Sequence, residues 1–154
     1  MNKTDTALHK EIQNYISVNF RETAAGNLLE PPAELTRYVA KTGMTFSRKL
    51  MDYIKRSGED EPSVYKRANI TRQLFSKIRS DPDYHPDKRT AISFAVALRL
   101  SLKDTSELLY LAGYALSNAA KSDLIIKYFF EKRIYDMIKI NNALFEFGQP
   151  VLGT

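Results

Sequence analysis

The stretch SVYKRANITRQLFSKIR, residues 63–79, restricts the fold more than any other part of the chain. Asn69 is one of the few residues other than glycine that accept a left-handed backbone, and Ala68 is small enough for two helices to cross closely. Thr71 then suits the N-cap of a second helix. The apolar residues form two short helical stripes, out of phase with each other: Val64, Ala68, Ile70, Leu74, Phe75 and Ile78. The stretch therefore predicts two short helices joined by a sharp turn.

The second of these helices presents a polar face. Its outward residues are Arg72, Gln73, Ser76, Lys77 and Ser80. Long or hydroxyl-bearing side chains of this kind form hydrogen bonds with base edges and phosphates. The pattern is typical of a helix-turn-helix, and it indicates nucleic acid as a partner.

Charge favours the same partner. The chain has 23 basic and 18 acidic residues, a formal net charge of +5. Residues 62–80 contain five basic side chains and no acidic one: Lys66, Arg67, Arg72, Lys77 and Arg79. A local positive field attracts phosphates and speeds their encounter with the protein. The alternative is that the cluster is an ordinary solvated helical face.

Helical periodicity extends over nearly the whole chain, and no segment alternates apolar and polar residues as a β-strand does. We therefore predict an all-α fold. In a short helix that begins near Pro32, the residues expected to face inward are Leu35, Tyr38 and Val39. The segment 90–100 is apolar almost all round, which is typical of a buried helix. The other predicted helices cover residues 5–20, 46–54, 102–112, 121–132 and 134–147.

Length and composition set outer limits. A chain of 154 residues supports one domain of ordinary size, or a compact core with one appended subdomain. It has no uninterrupted apolar run of about 20 residues, as a membrane span requires, and residues 1–7 lack the apolar region of a signal peptide. We expect a cytoplasmic protein without a membrane partner. The absence of cysteine excludes disulfides and thiolate metal sites.

Residues 45–112 resemble the five-helix DNA-binding domain of the λ-repressor-like, or XRE-type, regulators. Residues 46–54 are similar to helix one of that domain, residues 63–68 to helix two and residues 72–79 to the recognition helix. The segment ISFAVALRLSL, residues 92–102, is similar to its fourth helix and the turn into the fifth. The resemblance implies a five-helix core with extra N- and C-terminal helices. The expected segments are an N-terminal extension 1–44, a helix-turn-helix domain 45–116, and a helical pair 117–154 that packs on it or forms a dimer interface.

The resemblance also implies which residues contact DNA. Carried over onto this chain, the base-reading positions are Thr71, Arg72, Gln73, Ser76 and Lys77. Two further positions near the DNA backbone are Arg79 and Ser80. Lys66 and Arg67 of the basic cluster complete the predicted DNA-binding set. Residues 45–152 are also similar to a helical module found in bacterial genomes and phages.

The chain departs from the family at several positions. Asn69 stands in the turn in place of glycine, and helix two begins at Glu61 and Pro62, where regulators often have a phosphate-binding glutamine. Tyr65 stands where the family often has alanine, so this large side chain must either repack the helix pair or point outward. The following loop carries Asp81, Asp83 and Asp87 near the expected path of a DNA backbone. Because carboxylates repel phosphates, these residues favour a protein as the alternative partner. Asp87 also suits the N-cap of the next helix.

Other chemistries fit poorly. The loop 81–87 spaces its acids like a calcium loop, but Pro86 stands where glycine is needed and Ile92 where glutamate is needed. His9 and His85 are far apart in sequence and have no cysteine companions, so we expect no metal site. The chain has no nucleophile elbow, phosphate loop or dinucleotide-binding glycine pattern. We therefore expect neither an enzyme nor a cofactor.

Aromatic residues crowd the last third of the chain: Tyr128, Phe129, Phe130, Tyr135, Phe145 and Phe147. Rings with interleaved cations can form a platform for single-stranded nucleic acid. Most of them, however, fall at the spacing of a helical core, as do Ile134, Met137, Ile138 and Leu144. Core packing or a subunit interface is the favoured interpretation. Phe130 and Phe147 lie off the core stripes and are the predicted interface residues.

The sequence therefore predicts a bacterial or phage transcriptional regulator, a repressor that binds double-stranded operator DNA through the helix beginning at Thr71. A homodimer is expected, because two such helices read half-sites about one helical turn apart. The flanking helices, 5–20 or 121–147, are expected to supply the dimer contact. The alternative is a non-catalytic protein–protein interaction module on the same fold, serving as an adaptor, an antitoxin-like partner or an inhibitor.

Overall fold

A computed structural model describes residues 6–21 and 33–153 of the chain. Within these ranges the protein is all-α, with nine helices and no β-strand. In chain order the helices are α1 Thr6–Asn19, α2 Ala33–Thr42, α3 Phe46–Ser57, α4 Glu61–Arg67, α5 Arg72–Ser80, α6 Lys88–Ala97, α7 Leu102–Leu111, α8 Lys121–Glu131 and α9 Met137–Glu146. None of these helices is long and apolar enough to cross a membrane.

The described residues group into two compact units. The first contains residues 6–21 and 115–151, and therefore α1, α8 and α9. The second contains residues 33–114 together with 152–153, and therefore α2 to α7. The predicted division into segments 1–44, 45–116 and 117–154 differs from this grouping by contacts, and it stays a prediction.

Helix ends form where the local sequence predicts them. Thr71 caps α5 by accepting a hydrogen bond from the Leu74 amide at 3.2 Å. Asp87 caps α6, its carboxylate accepting from the Thr90 amide at 2.7 Å. At the other end of a helix, Gly58 closes α3 with a left-handed φ of 72°. These caps satisfy backbone groups that a helix end otherwise leaves unpaired.

The core of the second unit is built around α3, α5 and α6. Leu50, Ile78 and Phe94 are fully enclosed there. Tyr65 is buried as well, with its ring 5.0 Å from that of Phe75. The tyrosine therefore repacks the helix pair instead of pointing outward. The whole stretch of α6 from Thr90 to its end is buried, which confirms the predicted buried helix.

In the first unit, α1 packs on α8 and α8 packs on α9. Ile12 of α1 is fully enclosed, and Ile16 beside it is buried. Two tyrosine–carboxylate hydrogen bonds tie α1 to α8: Tyr15 to Glu131 at 3.0 Å, and Tyr128 to Glu11. Burial and the Glu11 carboxylate together raise the pKa of Tyr128 to about 12. Both tyrosines therefore stay protonated donors at neutral pH.

Several predicted orientations are wrong. In α2, Leu35 and Val39 are half-buried, but Tyr38 is 42% exposed and does not face inward. Phe130 is only 3% exposed and packs edge-on against Tyr135, so it belongs to the core and not to an interface. Phe147 is half-buried and stacks on His9, with ring centroids 4.7 Å apart.

Candidate nucleic-acid interface

The turn between α4 and α5 is tight and closed by two backbone hydrogen bonds. Asn69 adopts the left-handed conformation with a φ of 57°, as predicted. Its amide donates to the Lys66 carbonyl at 3.0 Å, and the Ile70 amide donates to the Tyr65 carbonyl at 2.9 Å. Paired bonds of this type end a helix by satisfying its last carbonyls. Because the flanking Ala68 and Ile70 are buried, the turn is anchored on both sides.

The helix α5 is held by its inner face. Phe75 and Ile78 are buried, and the Phe75 ring also contacts Phe94 at 6.0 Å between centroids. From α3, the buried Ser47 hydroxyl donates a hydrogen bond to the Ile78 carbonyl. Apolar packing and this hydrogen bond together set the rotation of α5 about its axis. That rotation decides which side chains face solvent.

All nine residues predicted to contact DNA are exposed, and they lie together on α4, the turn and α5: Lys66, Arg67, Thr71, Arg72, Gln73, Ser76, Lys77, Arg79 and Ser80. Two hydroxyl groups also serve the helix itself. Thr71 is the N-cap, and the Ser80 hydroxyl donates to the Ser76 carbonyl at 2.8 Å. Both oxygens still have capacity for another partner. The predicted DNA contacts of these nine residues stay a prediction.

Three side chains on α5 have no hydrogen bond or ion pair among the described residues: Arg72, Gln73 and Lys77. Gln73 and Lys77 are one helical turn apart and therefore neighbours on the surface. Arg72 begins the adjacent row, which continues through Ser76. We call these four positions, together with Thr71 at the N-cap, the polar face of α5. It presents cationic, amide and hydroxyl groups on one rigid helix.

Arg67 has a different environment from the cations on α5. Its Nη1 and Nη2 donate to the two carboxylate oxygens of Glu59 at 2.9 and 2.6 Å. Its Nε and Nη2 also donate to the Ala97 carbonyl, at 2.9 and 2.7 Å. The guanidinium thereby ties the end of α4 to the end of α6. The hydrogen bond from Arg67 lowers the pKa of Glu59, so this carboxylate is ionised at neutral pH.

Arg79 is also paired within the protein. Its Nη1 lies 2.7 Å from Glu61 Oε1, and its guanidinium lies over the Phe75 ring at 6.0 Å. Asp60, between the two glutamates, caps α4 by accepting from the Ser63 amide at 2.8 Å. The side-chain and backbone hydrogen bonds from Ser63 lower the pKa of Asp60.

The three acids at residues 59–61 thus offset part of the positive charge of residues 62–80. The sequence did not predict that this acidic run pairs with Arg67 and Arg79. Its position directly before a basic helix pair was the available signal. No carboxylate among the described residues forms an ion pair with Arg72 or Lys77, whereas Lys66 interacts electrostatically with Asp60.

The acidic loop after α5 is partly used for structure. Asp87 is the cap of α6, and Asp81 accepts from the Asp83 amide at 2.9 Å. The Tyr114 hydroxyl donates to the Pro86 carbonyl at 3.0 Å, which holds the loop against the rest of its unit. Asp81, Asp83 and Asp87 are nevertheless exposed. The carboxylates that favour a protein partner therefore remain accessible at the end of α5.

The search for a metal site in the described part of the chain and the comparisons with known proteins gave no match. Among the residues that the structure describes, no group of three or more histidine, aspartate or glutamate side chains is arranged to hold a metal ion. No protein-family model matches the chain, and no curated protein or solved structure matches it either.

Proposed function

We propose that the protein is a DNA-binding transcriptional regulator, a repressor that reads the major groove with α5. One observation carries the proposal: α5 is anchored in the core by Phe75 and Ile78, while Arg72, Gln73 and Lys77 project unpaired from its opposite face. A major groove about 12 Å wide admits one α-helix. A helix fixed in rotation can therefore present the same side chains to the same base edges in every encounter.

The chemistry of the polar face suits base reading. Arginine forms bidentate hydrogen bonds with the O6 and N7 atoms of guanine, and glutamine does so with the N6 and N7 atoms of adenine. Arg72 and Gln73 are placed for those roles at the start of α5. Lys77 is one turn further along and can reach a guanine or a phosphate. The hydroxyls of Thr71, Ser76 and Ser80 supply shorter contacts.

The basic residues divide into two groups within this proposal. Lys66, Arg72 and Lys77 supply charge to the DNA, because no hydrogen bond to a protein carboxylate occupies them. Arg67 mainly stabilises the α4–α6 contact through Glu59 and the Ala97 carbonyl. Arg79 contacts the DNA backbone only if it leaves Glu61 or bridges Glu61 and a phosphate.

The arrangement of helices gives further support. Helices α3 to α7 follow one another in the second unit; α4 packs on α5 and α6, α5 packs on α3, and α7 packs on α3 and α6. That order and the tight turn at Asn69 are those expected of a λ-repressor-like five-helix core. On this interpretation α5 is the recognition helix.

A homodimer is part of the proposal, and α9 offers the surface for it. Ile138 and Phe145 are 69% and 64% exposed. They are seven residues apart, so they lie two turns from each other on one face of the helix. We propose that this face meets its own copy about a two-fold axis, as most soluble oligomers do. The dimer would present two copies of α5 to two half-sites about 34 Å apart.

A protein partner is the second candidate. The observation that favours it is the set of acids around the basic surface: Glu59 and Glu61 neutralise two arginines, and Asp81 and Asp83 remain exposed at the end of α5. A surface of mixed sign is suited to another protein of complementary charge.

Selection of a binding site from a random duplex library separates the two candidates. We expect the wild-type chain to select a short palindromic site. For four phosphate contacts, the logarithm of the binding constant should fall with the logarithm of the salt concentration at a slope of about −3.6. The variant with Arg72, Gln73 and Lys77 all changed to alanine should lose the selected site. Lys55 and Lys103 are exposed in the same unit, so Lys55→Ala with Lys103→Ala is a control that removes the same charge. Equal binding by the triple variant and the control would contradict base reading by α5, and no binding to any duplex at low salt would favour a protein partner.

A further inference from the structure

Residues 152–153 belong to the second unit, and Gly153 lies against the turn between α4 and α5. Leu152 is buried. The Gly153 amide donates a hydrogen bond to the Ser93 hydroxyl at 2.9 Å. Ser93 is fully enclosed on α6 and donates in turn to the Arg89 carbonyl at 2.7 Å. The segment is therefore fastened to the interior of the unit by an apolar anchor and a buried hydrogen bond.

Gly153 lies directly on the turn residue Asn69. A β-carbon built on Gly153 would be 2.8 Å from the Asn69 β-carbon and 3.1 Å from the Asn69 carbonyl oxygen. The first distance is shorter than any normal contact between carbon atoms. The φ of Gly153 is 95°, a conformation that only glycine adopts without strain. Both the backbone angle and the available space thus require glycine at this position.

We propose that residues 152–153 are a strap that locks the turn at Asn69 and so sets the direction of α5. The inference rests on the proposed function of α5 and adds positioning residues to it: Leu152 and Gly153. The need for such a strap is physical. Asn69 itself is held in a left-handed conformation, which is less favourable for asparagine than for glycine. A group packed against its β-carbon and carbonyl oxygen blocks the movements by which the turn would relax.

The direction of α5 matters because base contacts tolerate little displacement. Hydrogen bonds weaken steeply beyond about 3.2 Å or below about 120°. A small rotation of the turn is amplified along the nine residues of α5. The strap would therefore affect discrimination between sequences more than it affects general attraction to phosphate, which depends on charge and hardly on angle.

Gly153→Ala is the central variant, and Gly113→Ala is its matched control. Gly113 has a similar φ of 89°, but a β-carbon there would meet nothing within 4 Å. The two substitutions therefore impose the same backbone strain, and only one of them pushes on the turn. The readout is hydrogen exchange of the Asn69 and Ile70 amides, whose bonds close the turn. Amides of α3 serve as an internal reference for global unfolding.

We expect the Asn69 and Ile70 amides to exchange about tenfold faster in Gly153→Ala than in Gly113→Ala, relative to the α3 amides. Leu152→Ala, which removes the apolar anchor without any change at Gly153, should move the same two amides in the same direction. Equal exchange in Gly153→Ala and Gly113→Ala would overturn the strap. So would an equal acceleration of the turn amides and the α3 amides in Gly153→Ala, because that result means uniform destabilisation.

Binding measurements with the selected duplex and a random duplex keep this inference separate from the proposed function. We expect Gly153→Ala to lose affinity for the selected duplex while its affinity for the random duplex changes less than about twofold. Faster turn exchange in a chain that binds no duplex, even as wild type, would uphold the strap and contradict DNA reading. Wild-type binding that depends on Arg72, together with unchanged turn exchange in Gly153→Ala, would uphold DNA reading and contradict the strap.

Discussion

The exposed faces of α5 and α9 differ in polarity. Arg72, Gln73 and Lys77 on α5 are polar and are satisfied by water, so their exposure alone costs the protein nothing. Ile138 and Phe145 on α9 are apolar and more than half exposed, so covering them is favourable whatever the partner is. The first face thus indicates a partner by its chemistry and the second by its exposure. We therefore propose α5 as a surface for recognition and α9 as a surface for association.

The largest expected effect tests the orientation of α5. The comparison requires that Phe75 faces the core and that Arg72, Gln73 and Lys77 face solvent. Phe75 is 2% exposed and packs against both Tyr65 and Phe94. Phe75→Ala should lower the free energy of unfolding by about 3–5 kcal/mol, through lost burial and a residual cavity. Ser76→Ala, the next residue on the exposed side, should change it by less than about 0.5 kcal/mol. Chemical denaturation of the two variants measures the difference, and similar midpoints would mean that α5 is rotated.

A second experiment tests the division of the cations into those that pair with a carboxylate of the protein and those that do not. Arg67→Ala leaves the Ala97 carbonyl and Glu59 without their donor, so we expect a loss of about 1–3 kcal/mol in the free energy of unfolding. Arg72→Ala removes the same charge from a side chain with no internal partner and should cost less than about 0.5 kcal/mol. In duplex binding the order should reverse, with Arg72→Ala weakening the selected site by about 1–3 kcal/mol. If Arg72→Ala destabilises the fold as much as Arg67→Ala does, the division is wrong.

The association surface on α9 is tested by charge insertion. Ile138→Asp should raise the dissociation constant of the dimer by at least about tenfold, because a carboxylate would be buried in an apolar contact. Val18 on α1 is exposed to a similar degree and lies in the same unit, which makes Val18→Asp the control. Sedimentation velocity over a range of concentrations gives both constants. A wild-type chain that stays monomeric at every concentration would remove α9 from the proposal.

The smallest expected effect concerns pH. Because Arg67 lowers the pKa of Glu59 in the folded state, this pair stabilises the fold above the ordinary pKa of a glutamate. The contribution is lost as pH falls through the folded-state pKa, since Glu59 is then protonated. Glu59 is open to solvent, so the effect should stay below about 1 kcal/mol. Unfolding of Glu59→Gln should show a shallower loss of stability in the acidic range than the wild type, and parallel curves would show that the pair contributes nothing.

Local signals predicted the helices well because each depends on residues close in sequence. The periodic apolar residues of α6, the left-handed Asn69, and the caps at Thr71 and Asp87 all needed only their neighbours. The exposed set on α5 followed from the same helical spacing. Burial in α2, α8 and α9 was harder to predict, because the apolar patterns around Tyr38, Phe130 and Ile138 allow more than one orientation of the helix.

The sequence by itself determined the all-α class, the sharp turn and the polar composition of α5, since hydrophobic spacing and capping act over one or two helical turns. Only the tertiary structure decided that Glu59 and Glu61 pair with two of the five cations of residues 62–80, and that Gly153 lies against a turn more than 80 residues away. Pairings of this kind depend on how separate helices dock. No spacing rule connects Gly153 with Asn69, because the contact exists only after the chain between them has folded.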